Sequence, residues 1–462
     1  MDFLSALPVG LVVLLIVALS VAFAFEFVNG FHDTANAVAT VIYTHTLPPR
    51  VAVVWSGFFN FLGVLLSGIG VAYSIVYLLP VDLLIESSSG SGLAMVLSLL
   101  LAAVIWNVGT WYLALPASSS HSLIGAILGV GLMHGLLSGQ PFGTGVNGSK
   151  AAEVGFSLLL SPMFGFCLAA VLLLLLKSCV HSDTLYKAPE GNKPPPLWIR
   201  AILIFTCTGV SFGHGSNDGQ KGMGLIMLIL IGIIPAYFAL NPHHHQELIK
   251  RTSDASATLA EKLRDHPDAS PNLIARLESI HQALENKTKY SELSEAERLK
   301  VRNILLQLRS DLRDLTPRLA SLPSAEFRAL NVEINFLKGP IEYVPLWVVM
   351  GVALALGCGT MIGWKRIVIT VGEKIGKDHL TYAQGACAEL TAMTTILVAD
   401  YGGLPVSTTQ VLSSAVAGTM TANGTGINSD TVKKIALAWF LTMPATMTLA
   451  ALFFTISKVI LG

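Results

Sequence analysis

Eight long stretches of this chain contain no Asp, Glu, Lys or Arg: Phe3–Phe25, Val51–Val81, Ser87–Ser149, Val154–Leu176, Gly222–Leu240, Tyr343–Trp364, Tyr401–Ser429 and Ile435–Ser457. A helix crosses the bilayer core with about 20 apolar residues, and most of these stretches reach that length. In lipid every backbone N–H and C=O must be satisfied within the segment, so the spans are expected to be helices rather than open sheet. Phe3–Phe25 is too long, and too soon followed by others, to read as only a cleaved signal peptide. With 53% hydrophobic and 13% charged residues and a net charge of zero, a soluble fold and nucleic-acid binding are both unsupported.

Polar sequence interrupts this apolar background in a repeated order. Gly30-Phe31-His32-Asp33-Thr34-Ala35-Asn36 is matched by Gly215-Ser216-Asn217-Asp218-Gly219-Gln220-Lys221, with Gly three residues before each acid. Leu115-Pro116-Ala117-Ser118-Ser119-Ser120-His121 is matched by Leu404-Pro405-Val406-Ser407-Thr408-Thr409-Gln410. The four stretches alternate along the chain. Asp33 and Asp218 lie 185 positions apart and Pro116 and Pro405 lie 289 apart; the excess of 104 is close to the length of segment 241–340. Without that segment the two halves come nearly into register.

The chain therefore divides into a first transmembrane repeat (1–181), a linker (182–197) with Pro194-Pro195-Pro196, the start of a second repeat (198–240), a soluble helical insert (241–340) and the remainder of the second repeat (341–462). The insert holds 15 of the 29 Lys+Arg and 14 of the 29 Asp+Glu. Leu273, Leu277, Ile280 and Leu284 recur there at helical spacing. The insert reads as a solvated helical hairpin or small bundle, and a regulatory or partner-binding role is the alternative. His243-His244-His245 reads as a polar loop, because three adjacent imidazoles do not share one helix face. Arg50, the linker and the 365–377 loop are basic whereas 80–92 is acidic. Short basic loops stay cytoplasmic, which places the N-terminus and the insert outside and makes the repeats inverted. The five cysteines, odd in number and without CxxC spacing, are expected to be small buried packing residues. The expected fold is an all-α polytopic membrane protein. It has two inverted repeats with interrupted helices and re-entrant helical hairpins, roughly 10–12 membrane segments in all, and a soluble helical insert.

The polar stretches read as one ion site. A charged side chain near the bilayer centre costs about 2.5–3.5 kcal/mol on insertion scales, so Asp33, Asp218 and Lys221 must pair, face water or hold an ion; the alternative is a structural Asp–Lys pair. The glycines around both acids are expected to permit an unwound backbone. Pro followed by three hydroxyl residues fits the start of a half-helix, whose free N–H groups and positive dipole end face an anion. Ser118, Ser119, Ser120, Ser407, Thr408 and Thr409 would donate to oxyanion oxygens. The acids would repel that anion unless protons or cations accompany it, so cation-coupled anion uptake is expected. Asp33, Asp218 and Lys221, with Thr34, Asn36, Asn217 and Gln220, complete the expected substrate shell, Lys221 either occupying a cation position or contacting the anion directly. Asp33, Asp218, Lys221, His32 and Glu389 are the expected cation-coupling set. His32, His121 and His214 can titrate near neutral pH. No nucleophile–base pair or metal cluster stands out, so neither an enzyme nor a metal site is expected.

With these residues placed, the chain resembles the PiT family of inorganic phosphate transporters, most closely its bacterial low-affinity Pit type. Gly30–Asn36 with Ala37-Val38-Ala39, and His214–Lys221, look like the paired family signatures; Pro116–His121 and Pro405–Thr409 look like its re-entrant hairpins. The resemblance implies phosphate held between hairpin tips and interrupted helices, in a bacterial plasma (inner) membrane. It covers nearly the whole membrane part but not 241–340. His32 replaces the usual Asn before the acid, and Lys221 replaces the second Asn of sodium-coupled relatives. Both weaken a sodium site, so proton coupling is expected, with no cofactor. A divalent metal carried with phosphate and a homodimer are compatible with this reading. The competing readings are a sulfate or arsenate carrier, a sodium-coupled phosphate symporter and, in another class, an anion channel or membrane sensor.

Overall fold

The computed structural model describes residues 7–79, 90–189, 191, 193–242, 244–320, 322–362 and 364–461. Most of the 80–92 acidic loop (80–89), and His243, lie outside the described residues. Among those described, regular structure is helical apart from one isolated bridge between Gly376 and Ile427.

The membrane part is built from α1 (Val9–Asp33), α2 (Ala35–Tyr43), α3 (Pro49–Leu66), α4 (Gly70–Val76), α5 (Gly90–Tyr112), α6 (Ser119–Leu137), α7 (Gly148–Cys179) and α8 (Leu197–Ile233). After the insert it resumes with α13 (Leu346–Thr360), α14 (Tyr382–Tyr401), α15 (Thr408–Asn423) and α16 (Ser429–Leu461). Among the described residues, seven helical segments are long and apolar enough to cross a bilayer, taking Val9–Tyr43 as one, or up to eight if Leu346–Thr360 and Lys365–Lys374 form one bent span. This is fewer than the expected segment count. The others are half-length or more polar: α15 has 16 residues, and α14 carries Glu389 and Asp400. Large apolar side chains stand exposed along the spanning helices, among them Ile16 on α1, Leu66 on α3, Phe156 and Leu174 on α7 and Phe440 on α16. A bilayer supplies the apolar surroundings such faces require. Cys207 and Cys387 are buried as expected, but Cys167, Cys179 and Cys358 are exposed.

The expected unwinding at the two acid stretches is not found. α8 runs as one helix straight through Gly215–Lys221. In the first copy only Thr34 interrupts, and it keeps helical dihedrals (φ −52°, ψ −37°). The glycines serve close packing instead. A Cβ on Gly215 would collide with the Asn60 carbonyl of α3, and one on Gly30 with backbone of Leu356 and Thr360 on α13. Small residues let membrane helices approach to backbone contact. Thr34 fastens the crossing at Gly30, its hydroxyl donating to the Gly30 carbonyl (2.7 Å) and to the Thr360 carbonyl of α13 (2.9 Å).

The insert comprises α9 (Gln246–Leu263), α10 (Pro271–Leu284), α11 (Glu295–Leu319) and α12 (Ser324–Phe336). Its helical spacing predicts most of its core: Leu273, Leu277, Ile280 and Leu284 of α10 are buried, as are Leu305, Leu308, Leu312 and Leu315 of α11, whereas Ile304 of the same pattern is half-buried. Burying each such side chain contributes about 1.5–3 kcal/mol. Ser270 caps α10 and Ser294 caps α11, the latter in a reciprocal box with Glu297. The segment closes on itself where the Asn241 amide donates to the Pro340 carbonyl (2.8 Å). His244 stacks near Tyr290 (ring centroids 5.9 Å apart), and burial holds its imidazole below the usual range.

Candidate functional site

Two acid-bearing helices and two hydroxyl-bearing helix starts meet in the membrane part. Ser118 caps α6, accepting from the His121 amide (3.1 Å), and Ser407 caps α15, accepting from the Gln410 amide (3.3 Å). Each Pro stands two residues before its cap rather than inside the helix. Its missing N–H and fixed φ favour the extended approach that turns Ser119-Ser120 and Thr408-Thr409 inward. All four are buried, as are the caps.

The motifs cross-pair. Asn36, on the first acid helix, donates to Thr409 (2.9 Å) and Thr408 (3.3 Å) of the second hairpin. Lys221, its counterpart on α8, donates to Ser120 (2.6 Å) of the first hairpin and to the Val406 carbonyl (2.9 Å). Ser120 itself donates to that same carbonyl (2.8 Å). Asn217 grips the second hairpin twice, donating to the Leu404 carbonyl (3.1 Å) and accepting from the Val406 amide (3.3 Å).

The acids differ in how they are held. Asp33 accepts from Ser119 (2.8 Å) and Thr409 (2.7 Å), one hydroxyl from each hairpin. Asp218 holds Lys221 at 2.6 Å, and its second oxygen has no hydrogen-bond partner. His214, one turn before Asp218, stands between them, with Nε2 3.7 Å from Asp33 Oδ2 and 3.5 Å from Asp218 Oδ2. Its Nδ1 meets the Asn60 side-chain oxygen at 2.8 Å, which assigns the Nδ1 hydrogen there. One ligand atom each from Asp33, His214 and Asp218 lies within 4.8 Å of the others, so the trio can gather round a proton or a small cation. His32 approaches Asp33 Oδ1 at 3.1 Å through Nδ1 and Thr110 at 3.2 Å through Nε2. The Thr110 hydroxyl donates to its own helix carbonyls, so it accepts from His32 Nε2–H.

Other expected site residues fall elsewhere. Thr34 is spent on the α13 crossing. Gln220 faces away from Asp33, bonding the Val71 amide (2.9 Å), the Ser216 carbonyl (3.0 Å) and Asp400 (2.6 Å). Ser118 and Ser407 are occupied as caps, and His121 bonds Ser118 (2.8 Å). Glu389 does not join the acid cluster; its carboxylate takes the hydroxyls of Thr40 and Thr206. Conversely, Asp400 went unnoticed in the sequence. It binds Ser216 (2.5 Å) and Gln220, tying α14 to α8 beside the second acid. The available signal was its position, a carboxylate just before the Gly402–Pro405 break.

The chain is 44% identical over 478 aligned residues to the low-affinity inorganic phosphate transporter PitB of Escherichia coli (strain K12), covering 95% of each. It is 29% identical to the probable low-affinity inorganic phosphate transporter of Bacillus subtilis (strain 168), over 97% of this chain and 99% of that one. A solved structure, the sodium-dependent phosphate transporter, shares its fold with a TM-score of 0.58 at 20% identity, over 97% of this chain and all of the other. The model of the phosphate transporter family matches residues 29–450, a range that takes in both acid stretches and both hydroxyl stretches; the chain belongs to that family.

Proposed function

We propose that this phosphate transporter imports its substrate by proton symport, with phosphate received where Ser119, Ser120, Thr408 and Thr409 converge on the acid helices. The observation that carries the coupling ion is the nitrogen content of the cation positions. Sodium, a hard cation, favours oxygen ligands. Here a fixed ammonium, Lys221, stands on Asp218, and two imidazoles, His32 and His214, stand against Asp33. Protons suit such partners. The fixed positive charge of Lys221, beside the N-terminal ends of α6 and α15, offers an oxyanion both an ion pair and backbone donors. A divalent metal travelling with phosphate fits the same carboxylates.

The test is labelled phosphate uptake into proteoliposomes under an imposed proton or sodium gradient, with sulfate and arsenate as competitors. Accumulation driven by protons and resistant to sulfate is expected. Accumulation driven only by sodium would overturn the coupling, and leakage without accumulation would favour a channel.

A further inference from the structure

Glu26 lies on α1, two turns before Asp33, and none of the interactions above uses it. Its side chain is fully buried, at 0% exposure, and neither carboxylate oxygen has a hydrogen-bond partner. The side-chain oxygen of Asn29, one turn further along α1, is likewise buried without a partner. Two acceptors left unsatisfied at i and i+3 on one helix face form a pair that a proton completes: a protonated Glu26 donates to Asn29. The surroundings are built for this side chain, since a Cβ on Gly222 of α8 would overlap its carboxylate. The charged and titratable groups that act on it from α8 are Asp218, Lys221 and His214, and on its own helix the Asn29 amide lies close enough to favour the ionised carboxylate, so Asn29 can serve either protonation state.

We propose that Glu26 is the group that loads and releases the symported proton. This rests on the proton-symport reading and deepens it. Of the other ionisable groups of the site, Lys221 is held by three acceptors, Asp33 by two hydroxyls and His32, and Asp218 by Lys221, while His214 keeps its Nδ1 on Asn60 and turns Nε2 to the two aspartates at 3.5–3.7 Å. Among the described groups of the site, Glu26 is the carboxyl with neither oxygen in a hydrogen bond of ordinary geometry and with no cation seated on it, which leaves its proton free to change. The coupling follows from charge competition for Lys221. Ionised Glu26 adds a negative charge that repels an incoming oxyanion and takes up part of the ammonium's field. Protonation removes that charge and leaves Lys221 to the phosphate. Proton and phosphate then bind together, and release of the proton on the far side expels the anion. The proton enters as H+ from water onto a carboxylate oxygen and leaves as H+, with no other bond changed.

The test compares net uptake with exchange of labelled inorganic phosphate in proteoliposomes of the full chain. In wild type, one-to-one coupling lets a gradient of one pH unit support about tenfold accumulation, and phosphate–phosphate exchange falls as pH rises. Glu26→Gln keeps the shape but stays neutral. It should exchange phosphate with no loss at high pH while accumulating none against a gradient, and Glu26→Asp should restore pH-dependent accumulation. Wild-type accumulation under the proton gradient alongside a Glu26→Gln variant that also accumulates would overturn the assignment. So would a variant without exchange, which would make Glu26 a structural or substrate-binding group. Absence of proton-driven accumulation in wild type itself would instead remove the symport reading on which the proposal stands.

Discussion

Replacing Lys221 by Met tests the central ion pair. Lys221 is 2% exposed, and its Nζ donates to Asp218 (2.6 Å), Ser120 (2.6 Å) and the Val406 carbonyl (2.9 Å). Met fills a similar volume, so the loss is electrostatic rather than a cavity. Asp218 already has one oxygen without a partner; the substitution would leave the other without its cation as well. Removing one partner of a buried pair destabilises by about 3–5 kcal/mol, chiefly through the charge left behind. Neutralising that charge should return much of it, so Asp218→Asn combined with Lys221→Met should be more stable than Lys221→Met alone. A coupling of about 0.5–3 kcal/mol is the range for residues in one network. Thermal unfolding of the purified protein in detergent, followed by tryptophan fluorescence for the wild type, both single variants and the double variant, measures the cycle. A double variant no more stable than Lys221→Met would refute the idea that an uncompensated Asp218 charge dominates the loss.

Other expectations can be checked separately. Asp33→Asn and Asp218→Asn should each abolish phosphate uptake with membrane expression retained; normal uptake by both would remove the acid pair from the site. Gly215→Ala forces α8 off the Asn60 carbonyl of α3, and overpacking of this kind costs about 1–3 kcal/mol, so the variant should show a lowered unfolding temperature; an unchanged one would deny the close crossing. In the insert, backbone and side-chain bonds to Ser294 hold the exposed Glu297 carboxyl below its ordinary value. A depressed carboxylate stabilises above its unfolded pKa and loses that contribution as pH falls through the folded value. Amide exchange at the start of α11 should therefore quicken on acidification below about pH 4.5, and Glu297→Gln should blunt the change.

Much of this was legible in the sequence because membrane burial leaves so few reasons for polar residues. Four short polar stretches in apolar surroundings had to satisfy one another, and the cross-pairing of Asn36 with Thr409 and Lys221 with Ser120 is that satisfaction. The insert's core followed from its leucine spacing. The glycines misled, since freedom to unwind and freedom to pack closely write the same letter. Only the neighbouring backbone of Asn60 and Leu356 decides between them. Glu389 misled for a related reason. A carboxylate at membrane depth announces that it needs donors, but two threonines meet that need away from the acid pair. Asp400 escaped because it ends a helix, where an acid ordinarily reads as a solvated terminus.

The Val406 carbonyl has a mechanical consequence. It receives the hydroxyl of Ser120 and the ammonium of Lys221, which are also bonded to each other. The tips of both hairpins and the second acid helix are thereby riveted at one triangle of polar atoms. Any cycle that opens a path past these tips must either shear three bonds at once or carry the triangle as a rigid part. The Asp33 side joins the same two hairpins differently, through one hydroxyl from each on a single carboxylate, with His32 and His214 beside it.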